Sequence, residues 1–78
     1  MKLLSSKYIE TATMDTKVNV FQLGPYEFEA HVLRRRGADT DWTLQHSTGP
    51  VRDDVVALSM VLRWHRNNPK EFRDELQS

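Results

Sequence analysis

The sequence predicts an α+β domain: an antiparallel sheet of three or four strands packed on one long helix, with a short C-terminal helix. Three observations carry this. Residues 26–32 alternate strictly, with Tyr26, Phe28, Ala30 and Val32 on one side and Glu27, Glu29 and His31 on the other. That is the period of a strand with one buried face. Residues 42–47 repeat the pattern, with Trp42, Leu44 and His46 against Thr43, Gln45 and Ser47. Beyond Pro50 the period changes: at roughly 100° per residue, Val51, Val55, Leu58, Val61 and Leu62 share one stripe of a helix.

Each element has its own signal. "KYIETATM" reads as an edge strand, with Tyr8 and Glu10 on one face and Ile9 and Thr11 on the other. A short helix over "LLSSKYIETATM" is the alternative, disfavoured by its serines and threonines. "MDTK" is a turn, and "KVNVFQL" (17–23) is a strand rich in β-branched residues. Gly24 and Pro25 punctuate the turn into the next strand.

Matching the apolar faces of the last two strands sets Val32 opposite Leu44, Ala30 opposite His46 and Arg34 opposite Trp42. Gly37, Ala38 and Asp39 are then a three-residue loop, and Arg35 faces Asp41 on the polar side. Truncation of Leu44 is expected to destabilise far more than truncation of Thr43. The long helix spans about Pro50 to Asn67, capped by Thr48 or Gly49, with Asp53 and Asp54 favoured by the helix dipole. Pro69 ends it. Asn68 and Glu71 are spaced as a capping box for a second helix over about 69–77, with Phe72 and Leu76 on one edge.

The 78 residues make one domain, near the lower limit for a self-supporting core. There is no cysteine, which excludes disulfides and thiolate metal sites and fits the cytoplasm. No apolar run matches a signal peptide or a membrane span. Lysine plus arginine and aspartate plus glutamate each total 11, so the net charge is zero. Any basic site must be local, whereas binding nucleic acid mainly by charge usually shows a basic excess.

Two features have charge or apolar surface left over. The run Arg34, Arg35, Arg36 ends a strand beside Trp42, giving a basic, aromatic-flanked hairpin tip suited to an acidic protein patch. Against this, Asp39 and Asp41 return negative charge, and Arg34 could lie over the tryptophan as part of the core rim. The helix is apolar beyond one face: Ala57, Met60 and Trp64 widen its stripe, leaving Arg52, Ser59, Arg63 and Arg66 as a polar strip. Either the terminal helix covers Met60 and Trp64 with Phe72 and Leu76, or another chain does, a second copy or a different protein.

Chemistry is sparse. His31, His46 and His65 show no metal-ligand spacing, and His31 and His46 fall on opposite sheet faces. Asp53 and Asp54 are neighbours that diverge on a helix. No nucleophile elbow, phosphate loop, zinc-protease or dinucleotide motif occurs.

The expectation is therefore a non-enzymatic, cofactor-free, cytoplasmic protein-binding module. Small domains of this kind are often accessory or inhibitory proteins, including those of phages and mobile elements. Its contacts would be Arg34, Arg36, Trp42, Met60 and Trp64, and its partner another protein with an acidic patch or a second copy of the chain. The alternative is a nucleic-acid-binding domain using Arg34, Arg35, Arg36, Arg52, Arg63 and Arg66. A sheet-type reader would present Glu27, Glu29, His31, Leu33, Arg35, Thr43 and Gln45, and its two glutamates oppose a phosphate-lined groove.

Overall fold

The computed structural model describes residues 1–11 and 14–73. Among these residues, four strands form one antiparallel sheet in the order β1 (Lys2–Glu10), β2 (Asp15–Gly24), β3 (Glu27–Arg35), β4 (Thr43–Ser47), followed by one helix, α1 (Asp54–Asn67). Each strand pairs with its sequence neighbour, so the sheet is a meander. The α+β class agrees with the sequence; the N-terminal strand does form, but over Lys2–Glu10 rather than along "KYIETATM", whose residues 12 and 13 lie outside the described residues, and Asp15 to Lys17 of the expected turn "MDTK" open β2 instead.

The alternation in β2 and β3 divides the sheet into two faces. Thr16, Val18 and Val20 of β2 and Ala30, Val32 and Arg34 of β3 are buried on the inner face. Ala57 and Val61 of α1 complete the core, with Val51, Leu58, Leu62 and Trp64 packed around it. Ala30 and Ala57 are fully buried, and their small side chains allow close approach of helix and sheet. α1 lies on β2, β3 and β4 and does not reach β1.

Three expectations are corrected. First, the β3–β4 register contains a bulge: Val32 pairs with His46, but Leu33 pairs with Leu44 and Arg34 with Thr43, so Gln45 is the extra residue. An inserted residue reverses the side-chain alternation beyond it. Leu44 therefore faces outward, 43% exposed, and Gln45 is buried in its place. The connection from Arg35 to Thr43 is correspondingly longer than three residues, and closes through Thr40 N donating to Gly37 O at 3.1 Å.

Second, α1 starts at Asp54, not Pro50. Val51 and Phe28 exchange two backbone hydrogen bonds of 2.7 Å, and Thr48 N donates to Ala30 O at 3.0 Å, so residues 48–51 continue along β3. Gly49 permits the bend with φ +70°. The cap is Asp53, whose Oδ1 accepts from Val55 N at 2.7 Å and Val56 N at 3.4 Å.

Third, no second helix forms over residues 69–73, which make a turn and then have no regular secondary structure; residues 74–77 lie outside the described residues. Sheet side chains take the peptide groups that such a helix would use. Arg34 donates to the carbonyls of Asn68 and Glu71, and the Gln45 amide bonds both N and O of Arg73.

Candidate functional site

The three arginines go three ways. Arg34 is fully buried. Its Nε donates to Thr16 Oγ1 at 3.1 Å, Nη1 to Asn68 O at 2.6 Å and Glu71 O at 2.8 Å, and Nη2 to His65 Nδ1 at 2.7 Å. Its guanidinium also stands 5.0 Å over the Trp64 ring. A guanidinium only donates, so His65 Nδ1 is an acceptor and the ring is neutral with its proton on Nε2. Burial, then the charge of Arg34, hold the His65 pKa below its ordinary value. Burial also lowers that of Arg34, against the opposing influence of Glu71. Arg34 therefore belongs to the interior and not to a partner-binding tip.

Arg35 points to the other face. It bonds Asp15 rather than Asp41, with Nε 2.9 Å from Oδ2, and this hydrogen bond raises its pKa. Its guanidinium stacks 4.4 Å from the centre of the Trp42 ring, and Lys17 Nζ lies 4.5 Å from the same ring. Tyr8 meets Trp42 edge-on at 6.2 Å. Trp42 thus shares a face with Arg35, opposite to the expected side, because the bulge at Gln45 turns the incoming chain over. Arg36 lies 4.0 Å over the Phe72 ring, at the segment that Arg34 and Gln45 hold.

Trp42 sits on the outer face, which α1 leaves uncovered. The register lays out that face in rows across the strands. Tyr8, Lys17, Leu33 and Leu44 form one row; Glu10, Asp15 and Arg35 form the next. On the other side come Ser6, Asn19, His31 and Ser47, where Glu29 Oε2 accepts from His31 Nε2 at 2.6 Å. Tyr8 is 51% exposed, so the row from Tyr8 to Leu44 offers aromatic and aliphatic surface with two cations beside it. Tyr8, Lys17 and Arg35 were not singled out for a partner-binding site from sequence. Their convergence depends on pairings that no local pattern encodes.

Met60 and Trp64 lie on the helix side. Trp64 stacks on His46, with centroids 5.0 Å apart and planes 6° from parallel, so β4 covers one of its faces and Arg34 approaches its ring. Phe72 packs with Arg36, and Met60 is exposed. His46, Met60, Arg63, Trp64, Asn67 and Asn68 line a shallow cleft of about 250 Å³. Burial, and then Arg73, lower the His46 pKa.

The six arginines of the nucleic-acid alternative do not form one strip: Arg34 is interior, Arg35 is on the outer face and Arg63 and Arg66 are on the exposed side of α1. Thr43 and Gln45, expected on the outward face, are turned from it by the bulge. Among the described residues there is no group of three or more metal-ligating side chains, and no helix is long and apolar enough to cross a membrane. No family model, curated protein or solved structure matches this chain.

Proposed function

We propose that the protein is a non-enzymatic protein-binding module whose recognition surface is the outer face of the sheet, centred on Trp42. The observation that carries this reading is the placement of Trp42 between Lys17 and Arg35, with Tyr8 at its edge, on the face opposite α1. Tryptophan, tyrosine and arginine are the residues that most often dominate interface energies. Here Tyr8 and Arg35 are held by cross-strand pairing, and Trp42, just before β4, packs against them, which lowers the entropy lost on binding.

The partner would bring carboxylates to Lys17 and Arg35, and aliphatic surface to Leu33 and Leu44. Asp15, Glu10 and Glu29 stand on the same face and oppose a polyphosphate. That balance favours a protein over a nucleic acid. Arg36 and the cleft at Met60 and Trp64 are outside this surface.

The two tryptophans allow a direct test. In a Trp64→Phe background, fluorescence reports Trp42 alone. Titration with an acidic peptide containing aliphatic residues should change that emission, and Lys17→Ala with Arg35→Ala should weaken binding at least about tenfold. A response to single-stranded oligonucleotide with a steep salt dependence, and none to the peptide, would move the reading to nucleic acid.

A further inference from the structure

We infer that residues 68–73 are a strap latched to the sheet, and that a proton on the His65 ring opens the latch while the sheet stays folded. The device is independent of what binds at Trp42, which lies on the opposite face. The strap leaves the end of α1, turns at Pro69 and Lys70, and then has no regular secondary structure. Among the described residues, three side chains of the sheet and its rim hold it. Arg34 donates to Asn68 O and Glu71 O, the Gln45 amide exchanges bonds of 3.0 and 2.7 Å with the Arg73 backbone, and Arg36 covers Phe72. Phe72 is the only aromatic or long aliphatic side chain from 68 to 73, so little apolar area ties the strap down.

The hold of Arg34 depends on His65. One planar guanidinium gives Nη2 to His65 Nδ1 at 2.7 Å and Nη1 to the two strap carbonyls, so the imidazole fixes the plane that aims Nη1. A protonated ring would instead point an N–H and a positive charge at Nη2. Two cations do not keep a buried contact of 2.7 Å. α1 carries His65, and Thr16 holds Arg34 Nε, which leaves the strap as the side held least. Opening it frees Arg34 Nη1 and the Gln45 amide, polar groups that the closed domain hides.

The surrounding charges leave this role to one pair. Arg34 of β3 is the charged group that acts on His65. Glu71 of the strap bears on Arg34. β2 presents the uncharged Thr16 hydroxyl, and β4 presents His46, whose charged neighbours are Arg73 and Glu71 of the strap. On α1 itself Arg66 is exposed, and α1 does not reach β1. The closed latch favours the neutral ring, so it is shut near neutrality and opens as pH falls through the lowered His65 value, below the ordinary 6.5.

The test is nuclear magnetic resonance on the full chain, following the His65 ring together with the Arg73 amide, whose acceptor is Gln45. Between about pH 7.5 and pH 5.5, protection of the Arg73 amide should fall about tenfold or more, with the midpoint of the His65 ring. The amides of β2 and β3 should keep their native chemical shifts over the same range. His65→Asn places a side-chain oxygen that does not titrate where Nδ1 stands, and should abolish the step. The wild-type titration decides alone where that variant does not fold. A ring that titrates while Arg73 stays protected, or sheet signals lost together with those of the strap, would overturn the latch. So would a step that persists in His65→Asn, which would put the proton on His46 beside Arg73.

Discussion

The Arg34 guanidinium is held by uncharged partners: a hydroxyl, two carbonyls and a neutral imidazole. Four of its N–H groups are used, so a charge normally confined to the surface is tolerated inside. Arg34→Ala should destabilise by about 3–5 kcal/mol in urea denaturation, because it leaves a cavity and unpaired carbonyls. Arg34→Lys should recover only part of this, since an ammonium lacks the planar fork that reaches all four acceptors. At Val32, fully buried under α1, truncation to alanine should cost about 2–3 kcal/mol. Leu44→Ala should cost less than about 1 kcal/mol, because Leu44 stands in solvent on the outer face. The same denaturation series measures both. Equal losses at the two positions would mean that Leu44 is in the core after all.

Each element ends where a neighbour claims its backbone. α1 begins after the Phe28–Val51 pair, and Asp53 supplies the side chain that satisfies its first amides. Asp53→Ala should therefore cost about 1 kcal/mol, with a matching fall in thermal midpoint, whereas loss of Thr48 as a cap is not at issue. The faces of β2 and β3 were legible in the sequence because their alternation is unbroken and period two permits only two arrangements. The bulge at Gln45 was not legible. Pairing apolar with apolar gave Val32 against Leu44, but Gln45 is buried to bind Arg73, a contact 28 residues away. The capping-box spacing of Asn68 and Glu71 was equally persuasive and equally local. It could not register that Arg34 would take both carbonyls. The Trp42 cluster was half legible: tryptophan beside arginine stood out, while Tyr8 and Lys17 came from strands whose alignment only the folded sheet sets.

For the whole molecule, acidity should loosen the structure. His46 and His65 both have pKa values lowered from the ordinary 6.5, first by burial. The unfolded chain therefore binds protons more readily, and their contribution is complete above about pH 6.5 and lost as pH falls through the lowered values. Protonating His65 also replaces the acceptor of Arg34 with a second cation. Urea midpoints should fall from pH 7 to pH 5, and His65→Gln should flatten that profile. An unchanged midpoint across this range would contradict the neutral ring assigned to His65. The Arg34 linkage also imposes an order in time. Its acceptors at Asn68 and Glu71 lie 34 and 37 residues downstream, so during synthesis the sheet can pair well before they leave the ribosome. Until then Arg34 must stay hydrated, and the end of the core around it must stay open. A nascent chain stalled with only residues 1–67 outside the exit tunnel should remain protease-sensitive, and one exposing residues 1–73 should become resistant. Release of the domain is thus gated by its last-made contacts, whatever strength the sheet has gained by then.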